Sequence, residues 1–205
     1  MKNDPIRDAI RNAFDESAAV KKRFLEESLD ALAAVVGLVS ERFLAGNKLL
    51  LFGNGGSAAD AQHIAAEFVN RFLLERPPLP AIALTTDSSI LTSVSNDYGY
   101  ADIFAKQVKA LGREGDVAIG ISTSGNSPNV LRAIDVCRKQ KIHTIGLTGG
   151  DGGKLAARVD HHLCVAGLKS TPRIQETHIL IGHVICEMVD QKLFGRSRGK
   201  DASSA

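Results

Sequence analysis

The chain has 205 residues, with 25 Lys plus Arg against 23 Asp plus Glu and a formal net charge of +2. That near balance gives no electrostatic case for a nucleic-acid surface and points to a small-molecule partner. Cys137, Cys164 and Cys186 are widely spaced and form no CxxC, so they read as reduced thiols of a cytoplasmic protein rather than a disulfide frame.

The amino terminus runs into a charged helical pattern without the uninterrupted apolar segment of a signal peptide. Asp4 reads as an N-cap with Pro5 at the first helical position, and Ile6, Ile10 and Phe14 recur down one stripe. A second helix carries Leu29, Leu32, Val35, Val36, Val39 and Phe43 and ends at Gly46-Asn47. Its most apolar stretch, 31–39, is about half the ~20 residues of a bilayer span, so no membrane segment is expected. Two amphipathic helices before the first strand exceed what one sheet face needs, so part of this stripe is expected to pack on other subunits.

From Lys48 onward strand-like and helical patterns alternate. Strands are predicted at 49–52, 81–84, 117–121, 142–147 and 162–165, and helices at 57–72, 90–94, 104–111 and 128–139. A last helix spans 172–193, with Thr171 as its cap and Pro172 at its first position. Strands apolar on both faces and separated by helices predict a parallel sheet covered on both sides, an α/β fold. Residues 1–195 read as one domain and 196–205 as a polar, disordered tail.

Two loops stand out, Gly53-Asn54-Gly55-Gly56-Ser57 and Ser122-Thr123-Ser124-Gly125-Asn126-Ser127. Each follows a strand and precedes a helix, where free amides and the positive end of the helix dipole suit an anion. Neither loop carries a Lys or Arg, so a phosphate there is held by amides and hydroxyls, which is unlike a P-loop. Gly53, Gly55 and Ala58 also satisfy a GxGxxA dinucleotide pattern, with Asp87 near the place of a ribose-binding acid; the second loop argues against that reading.

His63 and Glu67 share one helix face at i, i+4, either as a metal pair, as a base with its orienting partner, or as solvated surface. Gln175, Glu176, His178 and His183 lie among apolar residues of the last helix, where polar groups need partners. His183 reads either as a group facing a ligand or as a satisfied core histidine.

Through Gly53–Ser57, Asp60-Ala61-Gln62-His63 with Glu67, Ser95-Asn96-Asp97-Tyr98-Gly99, Ile121–Ser127, and Arg173-Ile174-Gln175-Glu176 with His183, the chain resembles the sugar isomerase (SIS) family over nearly its whole length. The resemblance implies a flavodoxin-like five-stranded parallel sheet with helices on both faces and extra N-terminal helices for oligomerisation. It implies a homotetramer with active sites at subunit contacts, and one Zn2+ per site at His63, Glu67, Gln175 and His183. Gln is an unusual zinc ligand, so that position rests on the resemblance alone.

The activity implied is aldose–ketose isomerisation of a sugar phosphate, sedoheptulose 7-phosphate to D-glycero-D-manno-heptose 7-phosphate, for bacterial surface polysaccharide. The substrate positions implied are Asn54, Gly55, Gly56, Ser57, Glu67, Asn96, Asp97, Ser122, Thr123, Ser124, Ser127 and Gln175. Glu67 is then the base that moves a proton through an enediol, with His183 as the complementary acid. Some members carry an acid just before Arg-Ile-Gln, where this chain has Thr171-Pro172. A similar variant turn occurs in a relative that binds a replication initiator, so the alternative reading is a non-catalytic SIS tetramer acting as a regulator. A regulator has no need of both Glu67 and His183, which favours the enzyme.

Overall fold

Alternate residues of a strand point to opposite faces, and here both faces are apolar. The computed structural model, which describes residues 4–195, buries both. Its elements are α1 (Pro5–Leu44), β1 (Leu49–Gly53), α2 (Gly56–Val69), β2 (Ala81–Ala83), α3 (Ser88–Asp97), α4 (Ile103–Leu111), β3 (Val117–Ser122), α5 (Pro128–Lys139), β4 (His143–Gly150), α6 (Gly153–Ala156), β5 (His161–Ala166) and α7 (Thr171–Phe194). All strand pairs are parallel, in the order β2-β1-β3-β4-β5. The tail predicted from residue 196 lies outside the described residues.

Leu49 and Leu51 of β1 join one core with Val35 and Val39 of α1, Ile64 and Phe68 of α2, and Ile181 and Ile185 of α7. Leu50 and Phe52 face the other way, onto Phe104 and Val108 of α4 and Val130 and Ile134 of α5. The sheet thus separates two apolar layers, and the strands read correctly as α/β. Cys137 and Cys186 are buried within these layers and Cys164 is half-buried; burial pushes the Cys137 thiol up to about 12, so it is unreactive.

The amino-terminal prediction needs correction, because the two expected helices are one helix of 40 residues, about 60 Å long. No Gly or Pro interrupts residues 6–36, and the polar stretch between Phe14 and Leu29 consists largely of good helix formers. Asp4 caps α1 as expected, its carboxylate accepting from the Ile6 amide at 3.1 Å. The first third of α1 buries nothing; Ile6, Ile10 and Phe14 are 69%, 53% and 75% exposed. Among the described residues, no helix is long and apolar enough to cross a membrane.

The start of α7 also differs by one residue. Ser170 is the N-cap, Thr171 and Pro172 occupy the first turn, and no side chain caps the helix. Three uncapped helices, α2, α5 and α7, therefore begin on the same edge, past the carboxyl ends of the strands.

Deep in α7, His178 is fully buried, with its Nε2 2.9 Å from the carbonyl of Thr148 and its Nδ1 without a partner among the described residues. Desolvation pushes this imidazole down to about 4, against a weaker opposing effect of the Thr148 bond. The folded value lies below the unfolded one of 6.5, so the unfolded chain takes up the proton first. Stability present above pH 6.5 is therefore lost as pH falls through about 4. Urea unfolding between these limits is expected to show a decline of up to about 3 kcal/mol from this group. In His178→Gln, which keeps a donor for Thr148, the decline should be markedly shallower.

Candidate active site

The strand order reverses direction between β1 and β3, and ligands of open α/β sheets bind outside the carboxyl ends of the strands at such a point. Gly53 pairs in register with Ile121, so the two singled-out loops leave adjoining strands side by side. The first begins α2 from Gly55 and the second begins α5 from Ser127, neither with a side-chain cap. By contrast Asp87 caps α3, its carboxylate accepting from the Ile90 amide at 2.9 Å. One of its carboxylate oxygens is thus committed to the helix, which weakens the dinucleotide alternative.

In the second loop Ser122 Oγ and Ser127 Oγ lie 2.9 Å apart. Ser124 Oγ accepts from the Asn126 amide at 3.2 Å, while Thr123 faces a cleft of about 540 Å³ with Ser124, Gly149, Gly150 and Thr171. The loop closes tightly on the next one. Gly125 has φ +64°, and a Cβ there would stand 1.9 Å from the Gly152 carbonyl oxygen, so only glycine fits.

One side chain lining this cleft had no signal in either loop. Lys169, from the connection between β5 and α7, lines the same cleft as Thr123 and Ser124.

In the first loop Asn54 makes a reciprocal amide pair with Asn129, at 2.9 and 2.8 Å, and its Oδ1 also accepts from Tyr100 Oη at 3.1 Å. Both acceptor positions of that oxygen are filled, which leaves one Nδ2 hydrogen for a ligand. Asn54 is thus partly a strut from the first loop to the start of α5. Asn129, buried and at the second position of α5, was invisible to motif reading because its partner lies 75 residues away. Ser57 is buried in the first turn of α2. Asn96 and Asp97 lie exposed at the end of α3, where Asn96 Nδ2 donates to Asp97 Oδ1 at 2.9 Å.

The polar residues of α2 and α7 meet between the helices. His63 Nε2 is 3.3 Å from Glu67 Oε1 and 2.9 Å from His183 Nε2. One assignment satisfies both contacts: His63 Nε2–H donates to the carboxylate and to an unprotonated His183 Nε2. The His183 ring lies between those of His63, 5.1 Å away, and Phe72, 5.6 Å away. Unlike His178, His183 is therefore not a core histidine.

One turn earlier on α2, Asp60 is buried and accepts from Gln175 Nε2 at 3.2 Å, while its Oδ2 has no partner among the described residues. Desolvation holds its carboxyl above the usual carboxylate range, opposed by the Gln175 bond and by His63 and His183. Gln175 thus belongs to the same seam between the helices.

The pattern of the SIS domain family matches residues 14–149. The chain belongs to that family. This SIS protein is 53% identical over 189 residues to the phosphoheptose isomerase of Thermodesulfovibrio yellowstonii, covering 92% of this chain and 94% of the relative. It is 54% identical over 195 residues to the phosphoheptose isomerase of a Roseiflexus species, covering 94% and 98%. Its structure resembles that of phosphoheptose isomerase GmhA from Neisseria gonorrhoeae with a TM-score of 0.86 and 43% identity, over 91% of this chain and 99% of the other. The flavodoxin-like sheet and the long amino-terminal helix are features of this fold.

In the SIS domain Gly56 has a specific task. A Cβ there would come within 2.6 to 2.7 Å of the Gln175 amide atoms, so the missing side chain is what lets Gln175 lie on the first turn of α2. Because the obstructed group is the end of a flexible side chain, Gly56→Ala is expected to keep the fold, with a melting temperature within a few degrees of wild type. Gln175 should be displaced from Asp60, and sugar-phosphate turnover should fall at least ten-fold; full turnover in this variant would deny Gln175 its place in the site.

Proposed function

We propose that the cleft at the β1/β3 crossing isomerises sedoheptulose 7-phosphate to D-glycero-D-manno-heptose 7-phosphate. The observation that carries this reading is the convergence of Glu67, His63 and His183 beside two uncapped, hydroxyl-rich helix starts. The phosphate rests on the hydroxyls of Ser122, Thr123, Ser124 and Ser127 and the free amides at the helix starts. Asn54, Ser57, Asn96, Asp97 and Gln175 meet the sugar hydroxyls. Half-identical relatives that carry the name phosphoheptose isomerase over nearly their whole length support the same reading.

The reaction moves one proton between neighbouring carbons and needs no external oxidant. The Glu67 carboxylate takes the proton from C1 of the open-chain ketose, and the electron pair forms an enediol across C1 and C2. Glu67 then returns the proton to C2 and leaves the aldehyde at C1. His183, hydrogen-bonded to His63, gives and takes the proton on the substrate oxygens. The Phe72 ring against His183 keeps one side of that imidazole from water.

A zinc ion suits this seam by donor chemistry. Two imidazole nitrogens and a carboxylate oxygen stand 2.9 and 3.3 Å apart, against about 3.3 Å between the ligand atoms of a tetrahedral ion with bonds of 2.0–2.1 Å. The imidazoles touch each other, and among the described residues no three His, Cys, Asp or Glu side chains already surround a common point. His63, His183, Glu67 and Gln175 would hold the ion, which would supply Lewis-acid polarisation of the carbonyl. Because Glu67 is also the proposed base, its place among the ligands would have to be transient or indirect.

We further propose a homotetramer in the cytoplasm, with no nucleic-acid or membrane partner. Exposed Ile6, Ile10, Phe14, Leu25 and Leu29 along α1 support assembly, and so does the exposure of His63 on a single chain. The alternative, a regulator that binds a replication initiator, finds no support in the relatives and leaves Glu67 and His183 without a purpose.

Glu67→Gln is expected to abolish solvent-deuterium wash-in at C1 and C2 while phosphate binding changes less than about three-fold; unchanged wash-in would remove Glu67 as the base. Elemental analysis should find about one zinc per chain, lost in His63→Ala, and sedimentation should give the mass of four chains. Full activity in metal-free protein, or a monomer at working concentration, would refute the respective proposal.

A further inference from the structure

A long, flexible side chain fixed at every polar atom in a dry interior is costly in entropy, and it draws attention to what it holds. Arg76, with its side chain 0% exposed, is such a residue. It follows α2 in a segment without regular structure and folds back beneath that helix. Its Nη2 donates to the Glu67 carbonyl at 2.9 Å, and its Nη1 donates to the carbonyls of Phe68 at 2.7 Å and Pro77 at 3.1 Å. On its other edge Nε donates to Asp190 Oδ1 of α7 at 2.7 Å, a carboxylate only 1% exposed.

Each contact has a general reason. The last carbonyls of a helix lack intrahelical donors, and a cation at that end also meets the negative pole of the helix dipole. A planar guanidinium can serve these carbonyls on one edge and a carboxylate on the other, which an ammonium cannot do with fixed geometry. Asp190 lies seven residues after His183, two turns along α7 on nearly the same face. The guanidinium therefore joins the turn of α2 that bears Glu67 to the helix that bears His183. A buried ion pair adds little net stability compared with apolar residues of the same size, so stability alone does not explain its presence.

We propose that Arg76 is a positioning residue for the isomerisation, a bracket that fixes the Glu67 carboxylate relative to His183. The inference rests on Glu67 being the proton-transferring base. It asks of Arg76 no contact with substrate, and a misplacement of about 1 Å at the reacting carboxylate is enough to lower a rate by up to about 100-fold.

The test replaces the pair by apolar groups, Arg76→Met with Asp190→Leu, so that no charge is left buried alone. The double variant is expected to melt near the wild-type temperature and to lose about 10- to 100-fold in kcat, with KM for sedoheptulose 7-phosphate within two-fold. Deuterium wash-in should fall in step with kcat. Arg76→Lys decides the matter if the double variant does not fold: it retains a cation for Asp190, loses the fork across the α2 carbonyls, and should lose roughly ten-fold in kcat at unchanged KM. Wild-type kcat and wash-in in either folded variant, or a loss confined to melting temperature or KM, overturns the proposal. Glu67→Gln run in parallel separates the two ideas, because its inactivity beside fully active Arg76 variants defeats only the bracket, and its full activity defeats the base.

Discussion

Pairing of β1 with β3 is the constraint on which the site depends. The intervening chain, with α2, β2, α3 and α4, crosses to the far side of β1 before returning, so the strands that end at Gly53 and Ser122 become neighbours. Two helices then start from adjoining points, neither with a side-chain cap, and the Asn54–Asn129 amide pair ties the first loop to the start of α5. Asp116 secures the opposite end of the same pair: it accepts from the Lys48 amide at 3.0 Å and the Arg113 amide at 2.8 Å, with the Lys48 ammonium 2.5 Å away. The strands are thus fastened at one end and left open for a ligand at the other.

The second organising contact is that of α2 with α7. It is apolar along most of its length, through Ile64, Phe68, Ile181 and Ile185, and polar at the seam where Asp60, His63 and Glu67 meet Gln175 and His183. The uncapped helix starts belong to the loops of the sheet, whereas the imidazoles and the carboxylate belong to the helix pair. The chain belongs to the SIS domain family, and half-identical relatives over nearly its whole length carry the name phosphoheptose isomerase.

Much of this was legible before any coordinates. Continuous apolar runs announced strands buried on both faces, and glycine and serine clusters after two of them marked open helix starts. His63, Glu67, Gln175 and His183 followed from helical spacing together with the family resemblance, and the structure draws them into one seam. What escaped has a common physical cause, since it depends on partners distant in sequence. Lys169 shares a cleft with the second loop only because β4 and β5 lie beside β3, and Asn129 matters only through Asn54. The division of α1 into two helices failed for a different reason: solvent-facing residues between Phe14 and Leu29 blurred the apolar period, although nothing there breaks a helix. At the start of α7, Ser170 and Thr171 are both competent caps, and spacing alone could not choose between them.

The packing of α1 joins elements far apart in sequence. It meets β5 and α7 through Phe24, Ile185 and the bond from Ser17 Oγ to Glu176 Oε2 at 2.7 Å, while Val35, Val39 and Phe43 pack on β1 and α2. A polypeptide truncated before α7 therefore keeps part of α1 seated on β1 and α2 but leaves the greasy side around Phe24 bare. It retains every strand, yet a stop codon ahead of α7 should yield sticky, chaperone-bound products rather than shortened but well-behaved sheets.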